Sequence, residues 1–238
     1  MNMKEVTLDN LKRDLNVLAD PKRARASQRF FKTGPGEYAE GDRFLGITVP
    51  AQRKVAHAYI ALKLPAVGKL LRSPIHEHRF VALEILVAKY ERGDLGEKGR
   101  VFNFYLRHKA YVNNWDLVDT SAEYIPGDYL FGKKKEVLFT LARSKNIWQR
   151  RMAIVATFCF IKKGRFGETL KISKILLADE HDLIHKAVGW MLREVGKRSL
   201  ETELQFLDVY YRRMPRTMLR YAIERFPEKK RKHYLERG

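Results

Sequence analysis

The sequence predicts an all-α fold, a HEAT-like helical-repeat solenoid with a concave basic groove, formed as one domain over residues 1–238. Three observations predict it. Apolar residues recur at helical spacing through long segments. No segment alternates with period two for long, and β-branched runs are short. Similar helices return about every 35 residues, the length of two helices and two turns.

Taken in order, Met1–Asp20 is polar and amphipathic and lacks the apolar stretch of a signal peptide. The Gly34-Pro35-Gly36 to Gly41 loop lacks the Gly-Lys-Ser/Thr ending of a phosphate-binding loop and reads as a connector. Phe80–Tyr90 carries Val81, Leu83, Ile85, Leu86 and Val87, then Arg92 and Gly93. Asn114–Tyr124 is helix-like. Ile147–Ile161 carries Ile147, Met152, Ile154, Val155 and Phe158. Leu183–Val195 carries Leu183, Ile184, Ala187, Val188, Met191, Leu192 and Val195. Pro126-Gly127, Gly164 and Pro227 fall between segments, as breakers should. Sliding the sequence on itself aligns Arg79 with Arg150, His185 and Arg220. The offsets are 71, 35 and 35 residues, so an intermediate unit centres near Trp115. The consensus of tetratricopeptide repeats is absent, which favours a HEAT-like array.

The charge balance points to the partner. The chain has 47 Lys+Arg against 28 Asp+Glu, a net charge of +19. Such an excess repels itself unless a polyanion binds, with nucleic acid first and an anionic membrane second. The segment Tyr211–Gly238 alone holds ten Lys/Arg, Arg216 among them, against three acids. It is expected to cap the array and add phosphate contacts. Hydrophobic residues make up 45% of the chain, enough for a packed core. The single cysteine, Cys159, lies in an apolar run and reads as a small buried hydrophobe. No stretch is long and apolar enough to span a membrane, so a cytoplasmic location is expected, nucleoid-associated through DNA.

The residues that could carry chemistry are few. Trp115, Asp116 and Asp119 share a short helical stretch, with Asn113 or Asn114 as its cap. Asp116 suits the helix dipole in the first turn. Asp119 lies one turn on from Trp115 and is the candidate catalytic carboxylate, able to face a developing positive charge or orient a water. Lys186, Trp190, Arg193 and Lys197 fall at i, i+4, i+7 and i+11, one stripe opposite the apolar one. Arg150 and Arg151 align with His185 and Lys186 in the repeat register. Trp115 and Trp190 are therefore expected to face the groove, and Trp148, beside Ile147, to be core. The pairs His76/His78 and His181/His185 have spacings open to metal, but they sit at polar helix starts and no metal is expected.

At Phe31-Lys32-Thr33 through Phe44-Leu45-Gly46-Ile47, Trp115-Asp116-Leu117-Val118-Asp119, Asn146-Ile147-Trp148-Gln149-Arg150-Arg151, Lys186-Ala187-Val188-Gly189-Trp190-Met191-Leu192-Arg193-Glu194 and Met214-Pro215-Arg216-Thr217, the sequence resembles the AlkD family of DNA alkylation repair proteins. The resemblance runs in order along nearly the whole chain. It implies a HEAT-like DNA glycosylase acting on N3- and N7-alkylated purines in double-stranded DNA, as a monomer, without cofactor and without flipping the base into a pocket. It implies that Asp119 is the catalytic aspartate, that Trp115 and Trp190 are the groove tryptophans and that Arg151 is the groove arginine. A DNA-facing aromatic position, tyrosine in some members, falls on Phe30, which lacks the hydroxyl.

The chemistry suits these residues. Alkylation at N3 or N7 makes the purine a cationic leaving group that needs no protonation. Asp119 can stabilise the sugar cation and orient water, while Arg151, Lys186 and Arg193 hold phosphates. Lys186 reads as a phosphate contact in preference to a Schiff-base nucleophile. Two rival readings stand beside this one: a non-catalytic nucleic-acid scaffold and a solenoid for acidic protein partners. A pure phosphate binder gains nothing from an acid in its groove, which is the feature that separates them.

Overall fold

The computed structural model describes residues 5–236. Residues 1–4, the start of the amphipathic N-terminal segment, and 237–238, which include Arg237 of the basic tail, lie outside the described residues. Among the described residues the regular structure is helical, apart from one isolated bridge between Arg43 and Ile75. The all-helical expectation therefore holds. No described helix is long and apolar enough to cross a membrane. The chain divides into two compact units, Met1–Ser121 and Ala122–Gly238.

The first unit holds α1 (Leu8–Val17), α2 (Pro21–Phe30), α3 (Val49–Ala58), α4 (Leu64–Leu71), α5 (His76–Arg92), α6 (Leu95–Arg107) and the short α7 (Trp115–Asp119). Local chemistry sets the starts. The Thr7 hydroxyl accepts from the Asn10 amide, the Asp20 carboxylate from Lys22 and Arg23, and the Asp94 carboxylate from Glu97. Pro21 occupies the first turn of α2, where its missing N–H costs nothing. Helix α5 is the spine, packed by α3, α4, α6 and α7. Phe80, Val81, Leu83, Ile85, Leu86 and Tyr90 of α5 are buried, so its apolar surface wraps most of the helix.

The link from α2 to α3 is held by one carboxylate. Glu77, only 2% exposed in the first turn of α5, accepts from the amides of Leu45 (2.9 Å), Gly46 (2.7 Å) and Ile47 (3.3 Å). Gly46 has φ +80°, and a Cβ there would lie 2.3 Å from the Asp20 carbonyl oxygen. Only glycine allows both the left-handed backbone and this approach to the start of α2. The turn thus locks α2 to α5.

The second unit opens with a π-turn, Glu123–Gly127, where Pro126 supplies no N–H and Gly127 donates to the Ala122 carbonyl (2.9 Å). Then come α8 (Asp128–Leu130), α9 (Glu136–Ala142), α10 (Ile147–Ala156), α11 (Phe158–Lys162), α12 (Gly167–Ile175), α13 (Asp182–Gly196), α14 (Leu200–Tyr210), α15 (Arg216–Ala222) and α16 (Glu228–Glu236). Here α13 is the spine, packed by α10, α11, α12, α14 and α15. Of its predicted apolar set, Ile184, Ala187, Val188, Met191, Leu192 and Val195 are buried. Each large member contributes about 1.5–3 kcal/mol of gross hydrophobic stabilisation. Cys159 and Trp148 are buried as expected.

The repeat register has a physical counterpart. Arg79, Arg150 and His185 are each the fourth residue of their helix after the N-cap. Each turns its side chain back to the carbonyl six residues earlier. Arg79 donates to Ser73 (2.9 Å), Arg150 to Ser144 (3.0 Å) and His185 to Asp179. One polar clasp, repeated three times, ties the inter-helix turn to the helix that follows it and satisfies a carbonyl that would otherwise lack a partner.

Gly189 marks a close helix crossing in the second unit. A Cβ there would meet the Met218 carbonyl oxygen at 2.4 Å and Tyr221 Cβ at 2.5 Å, so α13 and α15 touch backbone to backbone. Gly189→Ala should destabilise the protein by about 2 kcal/mol, because a rigid neighbour must move. Gly132→Ala, with nothing within 4 Å, should be near neutral. Urea unfolding of the two variants checks the contrast.

Candidate nucleic-acid interface

In the first unit, α7 is a single short turn fixed at both ends. The Asn114 side chain caps it by accepting from the Trp115 amide (2.8 Å), and Asn114 itself donates to Asp42 (3.3 Å). That settles which asparagine is the cap. Asp116 accepts from the Leu117 amide (2.9 Å) and from His76 Nε2 (2.7 Å). Asp116 is therefore a structural acid, as its first-turn position suggests.

His76 stands at the centre of this unit's polar core. It is 3% exposed and lies between Asp116 and Asp42, with Nδ1 donating to Asp42 at 3.3 Å. Arg79 pairs with the other Asp42 oxygen at 2.7 Å. Burial opposes a charge on His76, but the Asp116 carboxylate, by charge and hydrogen bond, and Asp42 outweigh it. The imidazole pKa rises to about 9, so the ring is a cation at neutral pH. Burial also works against the Asp42 carboxylate, but His76 and Arg79 prevail and hold its pKa below the usual range. The neighbouring His78 goes elsewhere. It meets the Ser73 hydroxyl at 2.9 Å, and burial drops its pKa to about 4.

Aromatic rings cover this cation. Phe44 stacks on His76 with centroids 4.7 Å apart, and Phe31 lies 4.8 Å from it. Phe31 also stacks on Trp115 (5.4 Å, 16°) and on Phe44 (5.0 Å). Phe30, 67% exposed, meets Trp115 edge-on at 6.0 Å. The indole of Trp115 thus has Phe31 against one face and stays half-exposed, with Phe30 as an apolar outer rim. Phe31, Phe44, Asp42 and His76 are parts of this arrangement that sequence reasoning did not assemble. Phe31 and Phe44 lie within the stretches that carry the family resemblance.

Asp119 is the last residue of α7 and is half-buried. Its neighbour Thr120 donates to Glu84 (2.8 Å), which pairs with Arg53 (3.1 Å). The fully buried Tyr105 hydroxyl meets Ser121 at 2.9 Å. Burial above all, with the Asp119 charge adding to it, pushes the Tyr105 pKa up, so that hydroxyl stays protonated.

In the second unit, Trp190 is half-buried beside Phe158 (5.6 Å), whose ring also attracts Lys162 (4.5 Å). The α13 stripe forms, but acids accompany its cations. Lys186 pairs with Asp182 (2.6 Å), Arg193 with Glu224 and Lys197 with Glu194 (2.5 Å). The two α10 arginines, expected to touch phosphates, have structural partners. Arg150 pairs with Asp179 (2.5 Å) and clasps the Ser144 and Lys145 carbonyls. Arg151 is 5% exposed and donates to the Leu183 carbonyl (2.6 Å), bracing the first turn of α13. Arg216 is exposed and donates to the Leu235 carbonyl (2.7 Å), tying α15 to the end of α16.

The His76 cation makes stability pH-dependent. A histidine whose pKa rises from 6.5 unfolded to about 9 folded stabilises fully below pH 6.5 and loses that contribution as pH climbs through 9. The amount is about 3 kcal/mol at most. Thermal melts of the wild type from pH 6 to 10 should fall over this window more steeply than those of His76→Gln. Parallel curves would remove His76 as the titrating group.

Comparison with known proteins follows the same lines. The DNA alkylation repair enzyme family matches residues 11–226. Two solved structures share the fold. One is a predicted DNA alkylation repair enzyme from Enterococcus faecalis, 17% identical with a TM-score of 0.67, over 88% of this chain and 97% of that one. The other is smu.31 from Streptococcus mutans UA159, 16% identical with a TM-score of 0.51, over 93% and 98%. No curated protein matches this sequence. With the family spanning nearly the whole chain, the protein belongs to the DNA alkylation repair enzymes.

Proposed function

We propose that the chain is a monofunctional DNA glycosylase that hydrolyses the N-glycosidic bond of N3- and N7-alkylated purines in duplex DNA, without drawing the base into a pocket. The observation that carries this is Asp119, a half-buried carboxylate closing a helix that Trp115 opens, in a chain of net charge +19. A protein that only gripped phosphates would lose affinity by holding an acid there. Membership in a DNA alkylation repair family supports the same reading.

The reaction balances without an acid to protonate the base. The bond from C1′ to N9 of the alkylated purine breaks, and its electron pair goes to the purine, cancelling the ring's positive charge. The sugar becomes oxocarbenium-like, and the Asp119 carboxylate stabilises it electrostatically. Water adds to C1′ and passes its proton to Asp119 and on to solvent. The fixed Trp115 face packs on the sugar, held by Phe31 on one side and by the His76–Asp116 contact through α7. On α13, Trp190 packs on the backbone, and Lys186, Arg193 and Lys197 bind phosphates. The Lys186–Asp182 pair is solvent-exposed and worth about 0–1 kcal/mol, so a phosphate can replace it. Arg151 braces α13 from below.

Asp119→Asn keeps the shape and removes the charge. Single-turnover release of the base from methylated duplex should fall by on the order of 100-fold or more, with duplex affinity unchanged or higher. Wild-type rates in this variant would remove Asp119 from the chemistry.

A further inference from the structure

A second charged surface lies on α2, outside the residues proposed for catalysis. None of its ten residues is buried. The helix is held at its ends, by Asp20 donating its amide to the Leu45 carbonyl (2.8 Å), by the close approach of Gly46, and by Phe31 just past its last turn. Its outer surface is thereby left open. Lys22, Arg25 and Arg29 fall at i, i+3 and i+7, on one face, and all three are exposed. Among the described residues none of them has an ion-pair partner, and α2 contains no acid. The α13 cations, by contrast, each pair with a carboxylate. Arg23, off this face, is tied to Asp20 and to the Gly46 carbonyl.

Like charges three and four residues apart repel and destabilise a helix. A helix that buries nothing and bears that repulsion gains stability when an anion binds along it. The stripe rises about 10 Å from Lys22 to Arg29, and one DNA strand presents a charge every ~3.4 Å of helix axis, so the three long side chains can each reach a phosphate of one strand. Beside it, Arg25, Gln28, Arg29 and Thr33 line a shallow recess with donors for a phosphate oxygen, and the Glu37 carboxylate at its edge is engaged by the Gly34 amide (2.8 Å). The stripe runs toward Phe30, which touches Trp115, so it leads into the aromatic cluster of the same unit.

We propose that Lys22, Arg25 and Arg29 form a phosphate-tracking rail that grips the DNA backbone next to the Trp115 cluster. This rests on duplex DNA being the ligand of the proposed function.

The test is binding of a fluorescent, undamaged DNA duplex across a salt series. The variant is the triple Lys22→Gln, Arg25→Gln, Arg29→Gln. The control is Lys63→Gln, Lys69→Gln, Arg107→Gln, which removes three exposed charges elsewhere in the same unit. Circular dichroism verifies that both fold. The rail variant should lose about tenfold or more in affinity at low salt, and its log–log salt slope should flatten by about 3, while the control changes little. Rail-variant binding equal to wild type, or an equal loss in the control, would overturn the rail. Preference of the wild type for phosphatidylserine vesicles over duplex would reassign the stripe to a membrane and overturn it as well. Wild-type protein that binds no duplex at any salt would sink the proposed function itself.

Discussion

The buried His76 cation between Asp42 and Asp116 is the contact on which the first unit turns. A charged imidazole shut away from water is costly alone, and removing one partner of such a group leaves an uncompensated buried charge. Here two carboxylates and two aromatic rings surround it. Asp116 belongs to α7, His76 to α5, and Asp42 to the link between α2 and α3. One cation therefore fixes three segments remote in sequence. Trp115 and Asp119 inherit their positions from that arrangement, because α7 is too short to hold itself.

Glu77, the next residue, does complementary work. Its carboxylate gathers three successive amides of the link, and Gly46 lets the chain pass close to α2. Together, His76 and Glu77 make the start of α5 the organising point of the unit. In the second unit α13 has the corresponding place, with Arg150 and His185 serving as clasps like Arg79. Burial of apolar stripes supplies the stability in both units, while the polar clasps decide which turn meets which helix.

Much of this was legible in the sequence. Apolar spacing located α5, α10 and α13, and the repeat register found Arg79, Arg150 and His185, whose side chains prove to do the same job. Periodicity also assigned Trp148 to the core. What stayed hidden depends on contacts distant along the chain. Asn114 meets Asp42 across 72 residues and His76 meets Asp116 across 40, and no local pattern reports such pairs. The same blindness hid the structural partners of Arg150 and Arg151. The alignment of Arg150 with Arg79, at the start of a largely apolar helix, was the available clue to its clasp. Lys186–Asp182 was readable as an i, i+4 pair, whereas Arg193–Glu224 joins different helices.

The proposed function requires that this basic helical protein cut a glycosidic bond and do more than hold DNA. Chromatography of the small molecules released from methylated duplex by purified wild-type protein tests it most directly. Free N3-methyladenine and N7-methylguanine are expected, with undamaged purines retained and the strands left unbroken by the protein. Tight binding to the same duplex with no free base released would contradict it.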